Sequence, residues 1–147
     1  MNNSSVATST ISVAKEVIAE IFVEGEKFKF ESNIAITSET GVRLIVRAYH
    51  HIFNPFRVHQ ISFGIPLGTP AGTYPLDGSV NGIVAHYTPP NTPALDSYNA
   101  IAGTITLLAP PSLENVQGTF KFKARKFDET KPEIAEIKDG VLNIGSR

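Results

Sequence analysis

The stretch that decides the fold runs from Ala102 to Phe127. It contains Gly103-Thr-Ile-Thr-Leu-Leu108, the turn Ala109-Pro-Pro-Ser-Leu-Glu-Asn115, and Gly118-Thr-Phe-Lys-Phe-Lys-Ala-Arg125. In the last run apolar side chains alternate with basic ones, which is the period of a strand with one face on a core and the other in water. The two runs and the turn between them predict an antiparallel hairpin.

Residues upstream repeat this pattern with a tighter turn. Ile21-Phe-Val23 precedes Glu24-Gly-Glu26, and Phe28 and Phe30 then alternate with lysines. This order predicts a hairpin with both Phe side chains on the buried face. The preceding segment, Ile11 to Ile21, fits either a short helix or the approach to a strand, and we favour a strand from about Val17.

Two further strand pairs are predicted. Val42 to His51 and Arg57 to Ile65 form a central pair that is interrupted at Asn54-Pro55. Ile134 to Ile137 and Val141 to Ile144 form a last pair, because Asp139-Gly140 between them is a dipeptide that favours two-residue hairpin turns.

About nine short strands with frequent turn signals predict an all-β protein. A chain of 147 residues is the usual size of one domain. We expect a single-domain antiparallel β-sandwich spanning residues 11–147, with a closed, calycin-like β-barrel as the alternative. The polar residues 1–10 are expected to form a mobile arm.

Composition excludes several classes of function. A net charge of −1 and a pI near 6.4 leave no positive excess to neutralise phosphates, so we expect no nucleic-acid partner. Apolar runs are too short for membrane insertion. The chain has no Cys and no phosphate loop, so we expect no disulfide and no cofactor. No signal peptide is recognisable, which leaves a cytoplasmic or a processed extracytoplasmic location open.

The order of several short motifs in the C-terminal half to two thirds of the chain resembles a family of small bacterial β-rich proteins of unknown function. These motifs are Gly72-Thr-Tyr74, Tyr87, Tyr98, Gly103-Thr-Ile-Thr106, Gly118-Thr-Phe-Lys-Phe122 and Asp139-Gly-Val-Leu142. Many proteins of this family are secreted lipoproteins, although this chain lacks a lipobox Cys. The resemblance supplies no active-site residues.

Imidazole and aromatic side chains are densest in one segment. They are Tyr49, His50, His51, Phe53, Phe56 and His59. As a functional site, this cluster would line a pocket for a planar ligand or a sugar ring, and otherwise it is the end of a core plus a turn. His50 or His51 could meet His59 across the turn as a partial metal site, but the ligand set is incomplete and we expect no metal.

The proline-rich segment Thr88 to Ser97 is predicted to be a loop, because its prolines cannot sustain a strand. Tyr87 and Tyr98 flank it, and with Asn91 and Asp96 they are predicted to form a contact surface for a partner. The alternative is a stiff surface connection.

Alternating basic residues form a second surface feature, the stripe of Lys121, Lys123 and Arg125. We expect these cations to pair with Glu133 or Glu136 on a neighbouring strand, and an anion site is the alternative.

Two functions are compatible with these features. The first is a non-enzymatic binding or interaction module that contacts a protein or glycan partner through end loops. The second is a barrel-type small-molecule carrier or enzyme with an internal cavity near Tyr49, His51 and His59. We favour the first because it requires no catalytic set, which the sequence does not supply.

Overall fold

The computed structural model describes residues 8–13, 16–79, 81–92, 96–126 and 133–145. Two predictions therefore fall partly outside the described residues: residues 1–7 belong to the polar arm and residues 93–95 to the proline-rich loop. The described chain forms eleven strands: β1 (Thr8–Val13), β2 (Val17–Val23), β3 (Glu26–Glu31), β4 (Ile34–Thr40), β5 (Arg43–Ile52), β6 (Arg57–Pro66), β7 (Gly72–Pro75), β8 (Val84–Thr88), β9 (Tyr98–Leu107), β10 (Asn115–Lys126) and β11 (Ile134–Gly145).

All strands belong to one antiparallel sheet that curls into a half-barrel. Their order is β1-β4-β5-β6-β8-β9-β10-β11-β2-β3, and β7 pairs with part of β9. The predicted all-β antiparallel class is confirmed, and no α-helix occurs in the described ranges. The choice between a sandwich and a closed barrel stays a prediction.

Three of the four predicted strand pairs are confirmed. β9 and β10 pair across the turn at residues 108–114, β2 and β3 pair around Glu24 and Gly25, and β5 pairs with β6. In the ambiguous segment before Ile21, a strand begins at Val17, as favoured. Residues 8–10, which were assigned to the polar arm, form the first half of β1 and pair with β4.

The two ends of the sheet meet at a corner formed by Ser32 and Asn33. Only these two residues separate β3, at one end of the sheet, from β4, next to the other end. The fully buried Ser32 hydroxyl accepts hydrogen bonds from the amides of Glu16 and Val17, both at 3.0 Å. The Asn33 amide donates to the Tyr49 carbonyl at 2.8 Å. The corner therefore ties β2 and β5 to the same two residues.

The core lies inside the curl, where the inner faces of distant strands pack together. Phe63 of β6 contacts Phe120 and Phe122 of β10, with ring centroids 4.9 and 6.4 Å apart. Around these rings, the inner faces of the strands contribute mainly Val, Ile, Leu and Ala side chains. Burial of this apolar surface is the main force that holds the sheet curled.

The predicted hairpin about Asp139-Gly140 is wrong, because β11 runs without interruption from Ile134 to Gly145. Its pairing with both β10 and β2 shifts register at this point, which marks a bulge, and Asp139 has a φ of 52°. A Cβ at position 140 would overlap the Phe120 ring. Gly140 is thus required for close packing rather than for a turn.

Replacing Ser32 by Ala tests how much the corner contributes to stability. The change leaves two backbone amides at the start of β2 without their acceptor, so we expect a loss of about 2 kcal/mol in the free energy of unfolding. Urea denaturation measures it. Ser79→Ala is the control, because the exposed Ser79 hydroxyl bonds to no described residue other than Asp77, and we expect it to cost less than about 0.5 kcal/mol. Equal, small losses in both variants would contradict this role of Ser32.

Candidate functional site

Several strand connections gather at one end of the half-barrel, which we call the loop end. The registers Ile52↔Arg57, Tyr87↔Tyr98 and Val23↔Glu26 place the β5–β6 turn, the proline-rich loop and the β2–β3 turn there. The end of β10 joins them, because Lys126 pairs with Tyr98. Loops at one end of a rigid sheet are a usual location for binding sites.

The loop end contains a pocket of about 320 Å³, which we call the end pocket. Its floor consists of His59, Tyr87 and Tyr98. Its walls come from the β2–β3 turn, the proline-rich loop and the end of β10: Val23, Glu24, Glu26, Pro89, Pro90, Thr92 and Lys126. The structure therefore brings together His59, Tyr87 and Tyr98, three of the predicted site residues that are far apart in sequence.

His59 is held from two sides. The Phe28 ring stacks on its imidazole with centroids 3.9 Å apart, and its Nδ1 lies 2.8 Å from the Tyr87 hydroxyl. Burial, together with the charges of His50 and Arg57, lowers the pKa of His59 to about 4. The imidazole is therefore neutral at pH 7.

The two floor tyrosines are packed rather than presented to solvent. Tyr87 is 2% exposed and Tyr98 is 1% exposed, and their ring centroids are 6.0 Å apart. Burial raises the pKa of Tyr87, and burial together with the nearby Glu133 carboxylate raises the pKa of Tyr98 to about 12. Both phenols stay protonated at pH 7, so the pocket floor is polar but uncharged.

The Tyr98 hydroxyl is anchored at the rim of the end pocket. It donates a hydrogen bond of 3.2 Å to Glu133 Oε1. Lys126 lies 3.6 Å from the same carboxylate and 5.4 Å from the centre of the Tyr98 ring. Charge at this site is thus confined to the rim.

His50 is the cross-strand neighbour of His59, and their ring centroids are 6.4 Å apart. Its Nδ1 accepts a 3.0 Å hydrogen bond from the Glu31 amide, which fixes the neutral tautomer with its proton on Nε2. Burial lowers the pKa of His50. Among the described residues, no three His, Asp or Glu side chains lie close enough to hold a metal ion.

Tyr49 and His51 lie on the opposite face of β5 from His50 and therefore from His59. The internal cavity that was predicted near Tyr49, His51 and His59 would need all three on one face. The structure instead places His59 inside the curl and the other two on its outside.

On the outside, Tyr49 and His51 begin a continuous series of rings, which we call the aromatic row. Its members are Tyr49, His51, Phe56 and Phe53, and successive ring centroids are 6.2, 5.8 and 5.5 Å apart. Phe53 is 68% exposed and Phe56 is 60% exposed, at the tip of the β5–β6 hairpin. Asn54 adopts a φ of 65° and precedes a cis proline, which together form this turn.

The proline-rich loop contributes differently from the prediction. Asn91, with a φ of 58°, and Asp96 are exposed but do not line the end pocket. Their part in a contact surface stays a prediction. Pro89, Pro90 and Thr92 do line it, and so do side chains from other turns, which sequence analysis missed because only the folded sheet brings them near His59.

No protein-family model matches this chain, and no curated protein or solved structure shows significant similarity to it. The resemblance to small bacterial β-rich proteins therefore stays a prediction. Among the described residues, no helix has the length and apolar character needed to cross a membrane.

The lowered pKa of His59 predicts a pH dependence of stability. Between pH 6.5 and pH 4 the unfolded chain binds a proton at His59 that the folded chain does not, so acidification through this window favours unfolding. Across this window we expect the free energy of unfolding of the parent to fall by about 2 kcal/mol more than that of His59→Gln, whose side chain does not titrate. Urea denaturation at each pH measures the difference, and identical pH profiles for the two proteins would refute it.

Proposed function

We propose that this protein is a non-enzymatic binding module that recognises a glycan at its loop end. The observation that carries the proposal is the aromatic row, whose two outermost rings are largely exposed to solvent. Contiguous exposed apolar surface on a folded protein commonly marks a binding site. Faces of aromatic rings bind the apolar faces of sugar rings.

Polar groups beside the aromatic row suit hydroxyl-rich ligands. The row itself includes the Tyr49 phenol and the His51 imidazole, and Gln60 is the cross-strand partner of Tyr49. Each of these groups can donate or accept a hydrogen bond. A neighbouring protein surface made only of apolar residues would leave them unsatisfied, which favours a glycan as the partner.

The end pocket lies at the same end and offers a second, smaller contact. Its volume of about 320 Å³ is near the lower limit of ligand pockets and is suited to a single ring. Its uncharged floor of His59, Tyr87 and Tyr98 favours a neutral, hydrogen-bonding group. We therefore propose a neutral oligosaccharide rather than an anionic one.

A carrier or enzyme with an internal cavity has less support. His59, whose position distinguishes the two functions, is packed between Phe28 and Tyr87. The space beside it opens at the loop end, between the β2–β3 turn and the proline-rich loop. This arrangement favours binding through end loops.

Removing the two exposed rings tests the proposal. We expect Phe53→Ala combined with Phe56→Ala to weaken binding to neutral oligosaccharides on a glycan array by at least about tenfold, because each lost ring contact contributes about 1 kcal/mol. The free energy of unfolding should change by less than about 0.5 kcal/mol, since both rings are exposed.

Leu108→Ala is the matched control, because Leu108 is also 68% exposed but lies in the β9–β10 turn at the other end of the sheet. It should bind as the parent does. If the parent binds no neutral oligosaccharide on the array, or if the control variant loses as much affinity as the double variant, glycan recognition by the aromatic row is excluded.

The proline-rich loop is tested separately. Asn91 and Asp96 are exposed, so Asn91→Ala with Asp96→Ala should leave the free energy of unfolding within about 1 kcal/mol. If the loop contacts the same glycan, the double variant should bind several times more weakly on the array. Unchanged binding would show that this loop only connects β8 to β9.

A further inference from the structure

The outer face of β10 carries two lysines that have no carboxylate partner in the part of the chain that the structure describes. Lys121 and Lys123 point away from the core, and neither forms an ion pair with a described residue. The glutamates expected to neutralise them form ion pairs with other lysines: Lys138 lies 3.8 Å from Glu136, the cross-strand neighbour of Lys123, and Lys126 lies 3.6 Å from Glu133. The predicted pairing of the basic stripe with these glutamates is therefore wrong.

The sheet is distorted at the same place. Both neighbours of β10 shift register here, β9 opposite Lys123 and β11 opposite Lys121. In β11 the bulge leaves the successive residues Lys138 and Asp139 both exposed. In β9, Gly103 has a φ of 140°, and a Cβ there would overlap the Lys121 carbonyl oxygen. Bulges of this kind re-aim side chains and are common beside functional sites.

The distortion leaves a concavity of about 480 Å³ on the outer face, away from the loop end. Among its lining residues are three lysines, Lys121, Lys123 and Lys138, and two acidic residues, Glu136 and Asp139. Lys138 already pairs with Glu136, so two ammonium groups face one carboxylate. The chain as a whole has a net charge of −1, which makes this positive excess a local property of the concavity.

We propose that this concavity binds a phosphate or sulfate ester carried by a small polar molecule. Lys121 and Lys123 are two residues apart on one strand face, so their backbones are separated by about 7 Å and both flexible side chains can reach one tetrahedral anion. The Asp139 carboxylate at the rim accepts hydrogen bonds from ligand hydroxyls and repels ligands that carry negative charge on that side. Ammonium groups and an anionic oxygen form the stronger, charge-assisted class of hydrogen bond.

This site is independent of glycan recognition at the loop end, and its test uses different probes. We would titrate the ¹⁵N-labelled protein with glucose 6-phosphate, glucose 6-sulfate and glucose, and follow its amide signals by NMR. Binding of either ester should move the signals of Gly103, Asp139 and residues 121–123 and should weaken as salt is added, whereas glucose should leave these signals in place. If only one ester binds, the result shows whether the site takes phosphate or sulfate esters.

The matched variants are Lys121→Gln with Lys123→Gln, and Lys27→Gln with Lys29→Gln. The second pair removes the same charge at the same two-residue spacing from β3, where both lysines already have carboxylate partners. We expect the first pair to weaken ester binding at least about tenfold and the second to change it less than twofold. No shift with either ester, shifts confined to other residues, or equal losses in both variants would overturn the proposal.

Discussion

The structure depends on the buried hydroxyl of Ser32. Two successive amides, those of Glu16 and Val17, meet this one acceptor where β2 begins, and the Ser32 amide returns a hydrogen bond to the Val17 carbonyl. Without this acceptor the start of β2 would place unsatisfied donors inside the protein. Because β4 begins two residues later, the same corner determines how far the two ends of the sheet approach one another.

The close approach of the two ends of the sheet also forms the end pocket. β3 is an edge strand of the sheet, yet its Phe28 stacks on His59 of β6, and its Glu31 amide bonds to His50 of β5. Neither strand is a ladder neighbour of β3, so the corner and the packing of the core inside the curl bring these groups together. Desolvation by this packing lowers the pKa of both imidazoles, and so the chemistry of the pocket floor follows from the closure of the sheet.

Sequence periodicity identified the hairpins because each strand pair is local and each alternates apolar and polar side chains. It failed where the alternation changes phase. In β11 the inward residues are Ala135 and Ile137 before the bulge and Leu142 and Ile144 after it, a change that looks like two strands joined by a turn. At the site, Tyr87 and Tyr98 were assigned to a contact surface since they flank the proline-rich loop, but both belong to inward faces. Only the sheet register, which is non-local, shows that they meet His59.

The end pocket and the concavity on β10 differ in chemistry because the sheet separates its charges by face. Inside the curl, desolvation penalises ions, so the end pocket presents an imidazole and two phenols that are all neutral. On the outside, β10 alternates Phe120 and Phe122 with Lys121 and Lys123, and bulges in its neighbours open a hollow beneath the lysines. A neutral floor favours salt-insensitive binding at the proposed loop-end site, whereas binding to ammonium groups in an open hollow would be screened by salt. One strand period would thus give the protein two surfaces that respond differently to ionic strength, and ligands bound at one would not compete with ligands bound at the other.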